Sequence, residues 1–232
     1  MTEKPVVAIF DLDYTLTKRG TWGRFVWRSV QNKPHLWLPL LFSTLSFQIQ
    51  YKFGKIPRGA VKKTMMRWSL MRLPRERLEQ MAEAFARETV KTGLRPGGIA
   101  ALEYHRDKGH QILIASAAVD LVVAPICKYL NIHDFVATEM AWDESGALKE
   151  NFASPNCYGE AKRDRTLSFL KQSKKETSTL YFYTDSKADL PLLKVVDCPI
   201  VVDPSPKFKE IAEACNMRVQ NWMASKEGFE AV

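Results

Sequence analysis

Apolar residues follow two rhythms along this chain. Val6-Val7-Ala8-Ile9, Gln111-Ile112-Leu113-Ile114-Ala115, Phe135-Val136-Ala137-Thr138, Thr179-Leu180-Tyr181-Phe182-Tyr183 and Pro199-Ile200-Val201-Val202 are short, nearly continuous apolar runs. Runs of that length, rich in β-branched and aromatic residues, predict buried strands. Between them lie longer segments read as helices: Ile99 to Lys108, ended by Gly109; Leu121 to Leu130; Ala161 to Gln172; Ala188 to Val195; and Lys207 to Cys215. Alternating strands and helices predict an α/β fold, a doubly wound and mainly parallel sheet covered on both faces.

The stretch from Thr21 to Arg95 breaks the alternation and reads as helices only. One starts at Gly20-Thr21-Trp22 and runs to about Ser29, a second starts near Pro57, and Pro74 opens a third from Arg75 to Val90. Leu94-Arg95-Pro96-Gly97-Gly98 reads as a return hinge. The predicted organisation is a core of residues 1–16 and 96–232, with an all-helical cap of residues 17–95 inserted after the first strand and lying over the sheet's carboxyl edge. A length of 232 residues suits one large domain or a core with such an insert.

Charge sharpens this division. The net charge is +8, yet Thr17 to Arg95 holds 17 Lys and Arg against four acids, and the remainder holds 17 against 22. The cap is therefore +13 and the rest −5. Either the basic residues solvate a helical bundle or the cap meets an anionic partner. Within it, Leu36 to Phe47 is almost entirely apolar but shorter than the ~20 residues needed to span a bilayer. Two readings stand: a helix buried in the cap, or an interfacial segment among lipid headgroups, with Lys33, Lys52, Lys55, Arg58, Lys62 and Lys63 on anionic phosphates.

At 46% hydrophobic and 26% charged residues the composition is that of a globular protein. Met1-Thr2-Glu3-Lys4-Pro5 does not open a secretory signal, and Cys127, Cys157, Cys198 and Cys215 are scattered without a Cys-x-x-Cys pair. A cytoplasmic location is expected, with peripheral membrane association through the cap as an added expectation and no transmembrane segment. The aromatic and basic residues do not interleave as in a recognised RNA-binding motif, so no specific nucleic-acid partner is expected.

The chemistry starts where the first strand ends, at Asp11 and Asp13. Open α/β sheets hold ligands at the carboxyl ends of their strands. One aspartate there can act as a nucleophile and a second can move a proton. A calcium loop is excluded, since no Asp-Gly follows and no closing glutamate is present. The next candidate is Ser116, at the end of a second strand, where its hydroxyl and neighbouring N–H groups, Ala117 included, could hold phosphate oxygens; an ordinary helix-capping serine is the plainer reading. Lys162 stands near a helix start, where the helix dipole disfavours it, so it points either at an anion or, with Arg163 and Arg165, into solvent. Asp185 and Asp189 follow a third strand at a spacing of four, which would stack them on one helix face. They invite a hard divalent cation, Mg²⁺ rather than zinc because no His or Cys converges, or they complement a helix dipole. Taken in order, the set meets the needs of phosphoryl transfer from a monoester.

Asp11-x-Asp13-x-Thr15, then Ser116, Lys162 and Asp185-Ser186-x-x-Asp189 resemble the four motifs of the haloacid dehalogenase (HAD) superfamily of phosphohydrolases. The likeness covers nearly the whole chain and implies a Rossmann-like core. The stretches Ala137-Thr138-Glu139 and Asn156 to Lys162 resemble the phosphoserine-phosphatase-like subgroup, which carries a helical cap. The resemblance implies that Asp11 forms an aspartyl-phosphate and that Asp13 protonates the leaving group and then activates water. It implies that Asp11, Asp185 and the Asp13 carbonyl hold Mg²⁺, that Ser116 and Lys162 bind the phosphoryl group, and that Asp189 supports the metal shell or orients Lys162. Gly20 departs from the substrate-binding glutamate of phosphoserine phosphatases, and Ala117 and Ala118 replace common glycines, which argues against a free amino acid as substrate. The apolar, basic cap is similar to that of bacterial phosphatidylglycerophosphate phosphatases. The expectation is a phosphomonoesterase acting on a lipid-linked phosphate. The alternatives are a phosphatase of a small soluble metabolite, a phosphotransferase, or a non-catalytic basic membrane- or nucleic-acid-binding module.

Overall fold

The computed structural model describes residues 4–231. Six strands form one sheet: β1 (Val6–Phe10), β2 (Gln111–Val119), β3 (Asp134–Thr138), β6 (Thr179–Thr184), β7 (Cys198–Val202) and β8 (Arg218–Gln220), in the order β3-β2-β1-β6-β7-β8. All five pairings are parallel. A separate antiparallel hairpin joins β4 (Met140–Trp142) to β5 (Leu148–Phe152). β1 lies at the middle of the sheet, and β2 and β6 flank it.

The alternation of side chains along β1 sorts the core into two layers. Ala8 and Phe10 join Ile114, Tyr183 and Ile200 on one face, while Val7 and Ile9 join Leu113, Phe182 and Val201 on the other. A strand buried on both faces has to be apolar throughout, which is why the period-2 pattern is hidden in these runs. The helices that cover or extend the sheet are α5 (Pro96–Asp107), α6 (Asp120–Tyr129), α7 (Glu160–Gln172), α8 (Leu190–Leu193) and α9 (Pro206–Ala214).

Four helices stand between β1 and α5: α1 (Thr21–Val30), α2 (Trp37–Lys52), α3 (Arg58–Ser69) and α4 (Arg75–Thr92). They form the helical cap. α1 and α4 meet through Phe25 and Phe85, whose rings are edge-on at 5.7 Å. α4 packs on α6, and α2 packs on α3. Where the chain leaves the core and returns, Thr17 and Leu94 form an antiparallel bridge, flanked by bonds from Lys18 N–H to the Gly93 carbonyl (2.8 Å) and from Arg95 N–H to the Leu16 carbonyl (2.8 Å).

The structure corrects several expectations. The expected hinge at Leu94 to Gly98 is partly helix: α5 begins at Pro96, whose fixed φ suits a first helical position. Gly97 lies inside that helix because a side chain would not fit: a Cβ there would stand 2.5 Å from Cγ of Trp222, while at Gly98 a Cβ would only crowd Leu16 Cδ2 at 3.2 Å. β2 continues to Val119, with an irregular pairing to β3 between Ala115 and Val119, so Ser116 lies four residues before α6 rather than at its start. Asp185 and Asp189 do not share an α-helical face, because a short 3-10 turn over Lys187–Asp189 precedes the four-residue α8. Of the two readings of Leu36 to Phe47, the buried cap helix is the one the structure does not bear out. That stretch forms most of α2, but no residue of α2 is buried. The hairpin and β8 were not expected at all, since Leu148-Lys149-Glu150-Asn151-Phe152 and Arg218-Val219-Gln220 are short and polar.

Candidate active site

The chain after β1 makes one wide turn over Leu12–Leu16, closed by a bond from Thr17 N–H to the Leu12 carbonyl at 2.9 Å, with Asp13 extended and Tyr14 in the left-handed region at φ 61°. This turn keeps Asp11, Asp13 and Thr15 near the strand end. Asp11 N–H donates to the Tyr183 carbonyl at 2.9 Å, which ties the start of the turn to β6. Thr15 Oγ1 donates to Asp185 Oδ1 at 3.1 Å and accepts from Asp185 N–H at 3.0 Å. The first and last acidic motifs are thus joined by a threonine hydroxyl.

Lys162 is the centre of the constellation. It arrives on the first turn of α7, which follows Gly159 at φ 60°, a conformation that side chains other than glycine adopt at a cost. Its ammonium lies 2.9 Å from Asp11 Oδ1 and 2.6 Å from Asp189 Oδ2, and all three residues are buried. Thr184 Oγ1 donates to the same Asp189 oxygen at 2.8 Å. The solvated-face reading of Lys162 is therefore excluded, and Asp189 holds the lysine in position.

Three buried or half-buried carboxylates, Asp11, Asp185 and Asp189, face this one lysine. Burial pushes the Asp11 carboxyl up to about 7 against the pull of Lys162, with Asp189 and Asp185 adding to the rise. Burial pushes Asp185 up to about 6, opposed by its bond to Thr15. Burial opposes the charge on Lys162, but Asp11 and Asp189 outweigh it and hold the ammonium well above its ordinary range. Asp13 is half-buried and accepts a hydrogen bond from Thr21 N–H at 2.8 Å; burial still holds its carboxyl above the usual range. An acid raised in this way keeps a proton to give.

The donor set suits a hard cation. Asp11, Asp185 and the Asp13 carbonyl offer only oxygens, and Asp189 Oδ1 is buried without a hydrogen-bond partner. Among the described residues no three His, Cys, Asp or Glu side chains form a ready-made metal cluster. Mg²⁺ commonly takes one or two carboxylates and completes its shell with water and phosphate, so two carboxylates and a carbonyl fit it.

Ser116 is fully buried and its Oγ accepts from Ala118 N–H at 3.1 Å. At Ala117 the engaged group is the carbonyl, which accepts from Thr138 Oγ1 at 2.9 Å and from the ammonium of Lys62. Lys62 is a further correction. Expected on the surface among lipid-binding lysines, it is buried, reaching from α3 to Asn156 Oδ1 at 2.6 Å. Burial lowers its ammonium to about 8, against the attraction of Asp13. Beside it the guanidinium of Arg58 lies 4.2 Å from the Tyr158 ring centroid. These contacts latch the cap onto the core next to the carboxylates. The only hint of Lys62 in the sequence is its place within an apolar helix face, next to Val61 and four residues before Met66.

An α/β sheet with acid groups converging on its carboxyl edge, beneath a helical cap, places oxygen ligands and a buried ammonium where an open α/β sheet holds its ligand, an arrangement suited to phosphoryl transfer. The chain belongs to the haloacid dehalogenase-like hydrolase family, whose model matches residues 8–194. It is 24% identical to a histidinol-phosphatase of Neisseria meningitidis serogroup C over 231 residues, covering 93% of this chain and 98% of that one. Among solved structures, a Bordetella pertussis protein of unknown function superposes with a TM-score of 0.80 at 24% identity, covering 93% of this chain and 98% of that chain. A substrate-bound phosphoserine phosphatase superposes at 0.62 with 16% identity over 90% of each chain, a likeness of fold. These relatives lend no support to the cap's likeness to phosphatidylglycerophosphate phosphatases.

Proposed function

We propose that this protein is a Mg²⁺-dependent phosphomonoesterase that works through an aspartyl-phosphate on Asp11. The observation that carries this reading is the buried Lys162 bridging Asp11 and Asp189, beside Asp13 and Asp185. A carboxylate oxygen of Asp11 attacks phosphorus, and the bond to the leaving oxygen breaks as the Asp13 carboxyl protonates that oxygen. The Asp13 carboxylate then takes a proton from water as the water attacks phosphorus, and the phosphorus–Asp11 bond breaks. Phosphate leaves and Asp13 is again protonated. Lys162 and Ser116 steady the phosphoryl oxygens throughout. Held by Asp11, Asp185 and the Asp13 carbonyl, Mg²⁺ would supply positive charge against that of the phosphate.

A small soluble phosphomonoester is the substrate class best supported, because one relative matched over nearly its whole length is named a histidinol-phosphatase. A second reading, a lipid-linked phosphate, is favoured by one observation, the uncovered apolar helix α2. The test of the function is hydrolysis of an aryl phosphate with and without Mg²⁺, followed by mass analysis of acid-quenched enzyme for phosphate on the Asp11 peptide. Turnover that ignores chelation, or phosphate on a different residue, would overturn the proposal. A panel holding both soluble and lipid phosphomonoesters separates the substrate readings.

A pH signature accompanies the metal. Asp11 and Asp185 keep protons in the folded protein at pH values where the unfolded chain has lost them. The metal-free protein should therefore lose stability as pH rises from about 4 to about 7. Mg²⁺ competes with those protons, so it should raise the melting temperature more above that window than within it. Scanning fluorimetry at the two ends measures this, and equal shifts would count against carboxylate ligation.

A further inference from the structure

We propose that the outer side of α2 is a docking surface for an anionic lipid bilayer, with the helix lying in the membrane plane. α2 carries no charge before Lys52, its polar residues being only Ser43, Thr44, Ser46, Gln48, Gln50 and Tyr51, and its large apolar side chains fall on two sides. One side meets protein: Leu40 packs against the core, and Phe47 shares a groove with Ala60 and Thr64 of α3. The other side carries Leu38, Leu41, Phe42, Leu45 and Ile49, extended by Phe53 just beyond the helix. Their spacing keeps them on one stripe, about 24 Å long over 16 residues at 1.5 Å each. All six are exposed, Leu38 and Phe42 each at 78%. Single exposed apolar residues need no explanation, but a continuous stripe marks an interaction surface.

Charge identifies what covers it. Lys52 falls on the same stripe three residues beyond Ile49, and Lys55 follows; both are exposed, and neither has an ion pair among the described residues. From Tyr14 to Arg75 the chain has no carboxylate at all and 13 Lys and Arg. A second copy of the chain docked on this stripe would bring two such segments together, and like charges facing each other disfavour that contact. An anionic surface satisfies both the apolar stripe and the lysines. At the start of the helix the half-exposed rings of Trp27 and Trp37 lie 5.3 Å apart, and Trp37 Nε1 is bonded to the Val30 carbonyl at 2.9 Å. Such rings, apolar at one end and polar at the other, suit the headgroup layer. No helix among the described residues is long and apolar enough to cross a membrane, so the contact is interfacial. It would immerse the stripe by about 5–10 Å.

Sedimentation with vesicles tests the surface, using phosphatidylcholine with and without phosphatidylglycerol at low salt. The wild-type chain should sediment with the anionic vesicles, and Leu41→Ser with Phe42→Ser should weaken that binding by about tenfold or more. Lys52→Glu with Lys55→Glu should abolish the preference for anionic vesicles. All these side chains are exposed, so each variant should keep the wild-type melting temperature and aryl-phosphate turnover. Turnover is measured in the same samples, so a failure of docking is read apart from a failure of the catalytic proposal. The inference is overturned if the wild-type chain binds neither vesicle, if the Leu41 and Phe42 variant binds equally well, or if the stripe instead mediates a dimer or a protein complex that those substitutions dissolve.

Discussion

Asp11→Asn is expected to cut aryl-phosphate turnover by on the order of 10⁴-fold and yet leave the metal-free protein at least as stable as the wild type. The first effect follows from loss of the nucleophile, because an amide oxygen does not form the phosphoryl bond. The second follows from the charge balance. Three carboxylates face Lys162, and Asp11 is the one whose ionisation burial and its acidic neighbours resist most visibly. Asparagine fills the same volume and removes one of those charges, leaving Lys162 paired to Asp189 at 2.6 Å. The melting temperature without Mg²⁺ should hold or rise, and the gain on adding Mg²⁺ should shrink. A variant that melts well below wild type without metal would contradict this account of the site, which treats it as a place where stability is given up for chemistry.

Lys162→Met should have the opposite profile. Methionine fills the space of a lysine stem but leaves Asp11 and Asp189 buried without a counter-charge. Breaking a buried pair in this way costs about 3–5 kcal/mol, which corresponds to a fall in melting temperature of roughly 10 °C for a chain of this size. Turnover should be lost as well, since the same ammonium is proposed to steady the phosphoryl group. Adding Asp189→Asn to Lys162→Met should recover part of the stability and none of the activity, and the double-mutant cycle isolates the coupling. Unchanged melting of Lys162→Met would mean that the carboxylates find protons or water without strain.

The proposed catalytic groups were legible because each sits at the end of an apolar run. Asp11 and Asp185 follow strands β1 and β6, Ser116 closes the most apolar stretch of β2, and Lys162 betrayed itself by standing at the wrong end of a helix dipole. The finer placement was hidden. Whether Asp185 and Asp189 would share a face depended on a 3-10 turn that local sequence does not announce. Gly97 and Gly98 resemble a hinge because glycine signals both freedom and close approach, and at Gly97 it is Trp222, more than a hundred residues away, that decides between them. Lys62 is likewise decided by distant residues. A lysine in a basic segment is ordinarily solvated, and its burial depends on how the cap settles on Ala117 and Asn156. α2 was ambiguous on its face, since an apolar run describes a core helix and a lipid-facing one equally well.

The bridge between Thr17 and Leu94 has an evolutionary consequence. It pins the two ends of the inserted helices side by side, so the sheet beneath experiences them as one closed loop. The entropic cost of closing a loop grows only slowly with its length, by about 0.6 kcal/mol per doubling. Helices can therefore be lengthened, exchanged or recharged above this neck with little penalty to the fold below. A lineage can keep its acid groups fixed and change what it recognises by rewriting a single excursion of the chain. That freedom is consistent with a chain that shares a fold at a TM-score of 0.62 with a phosphoserine phosphatase at only 16% identity.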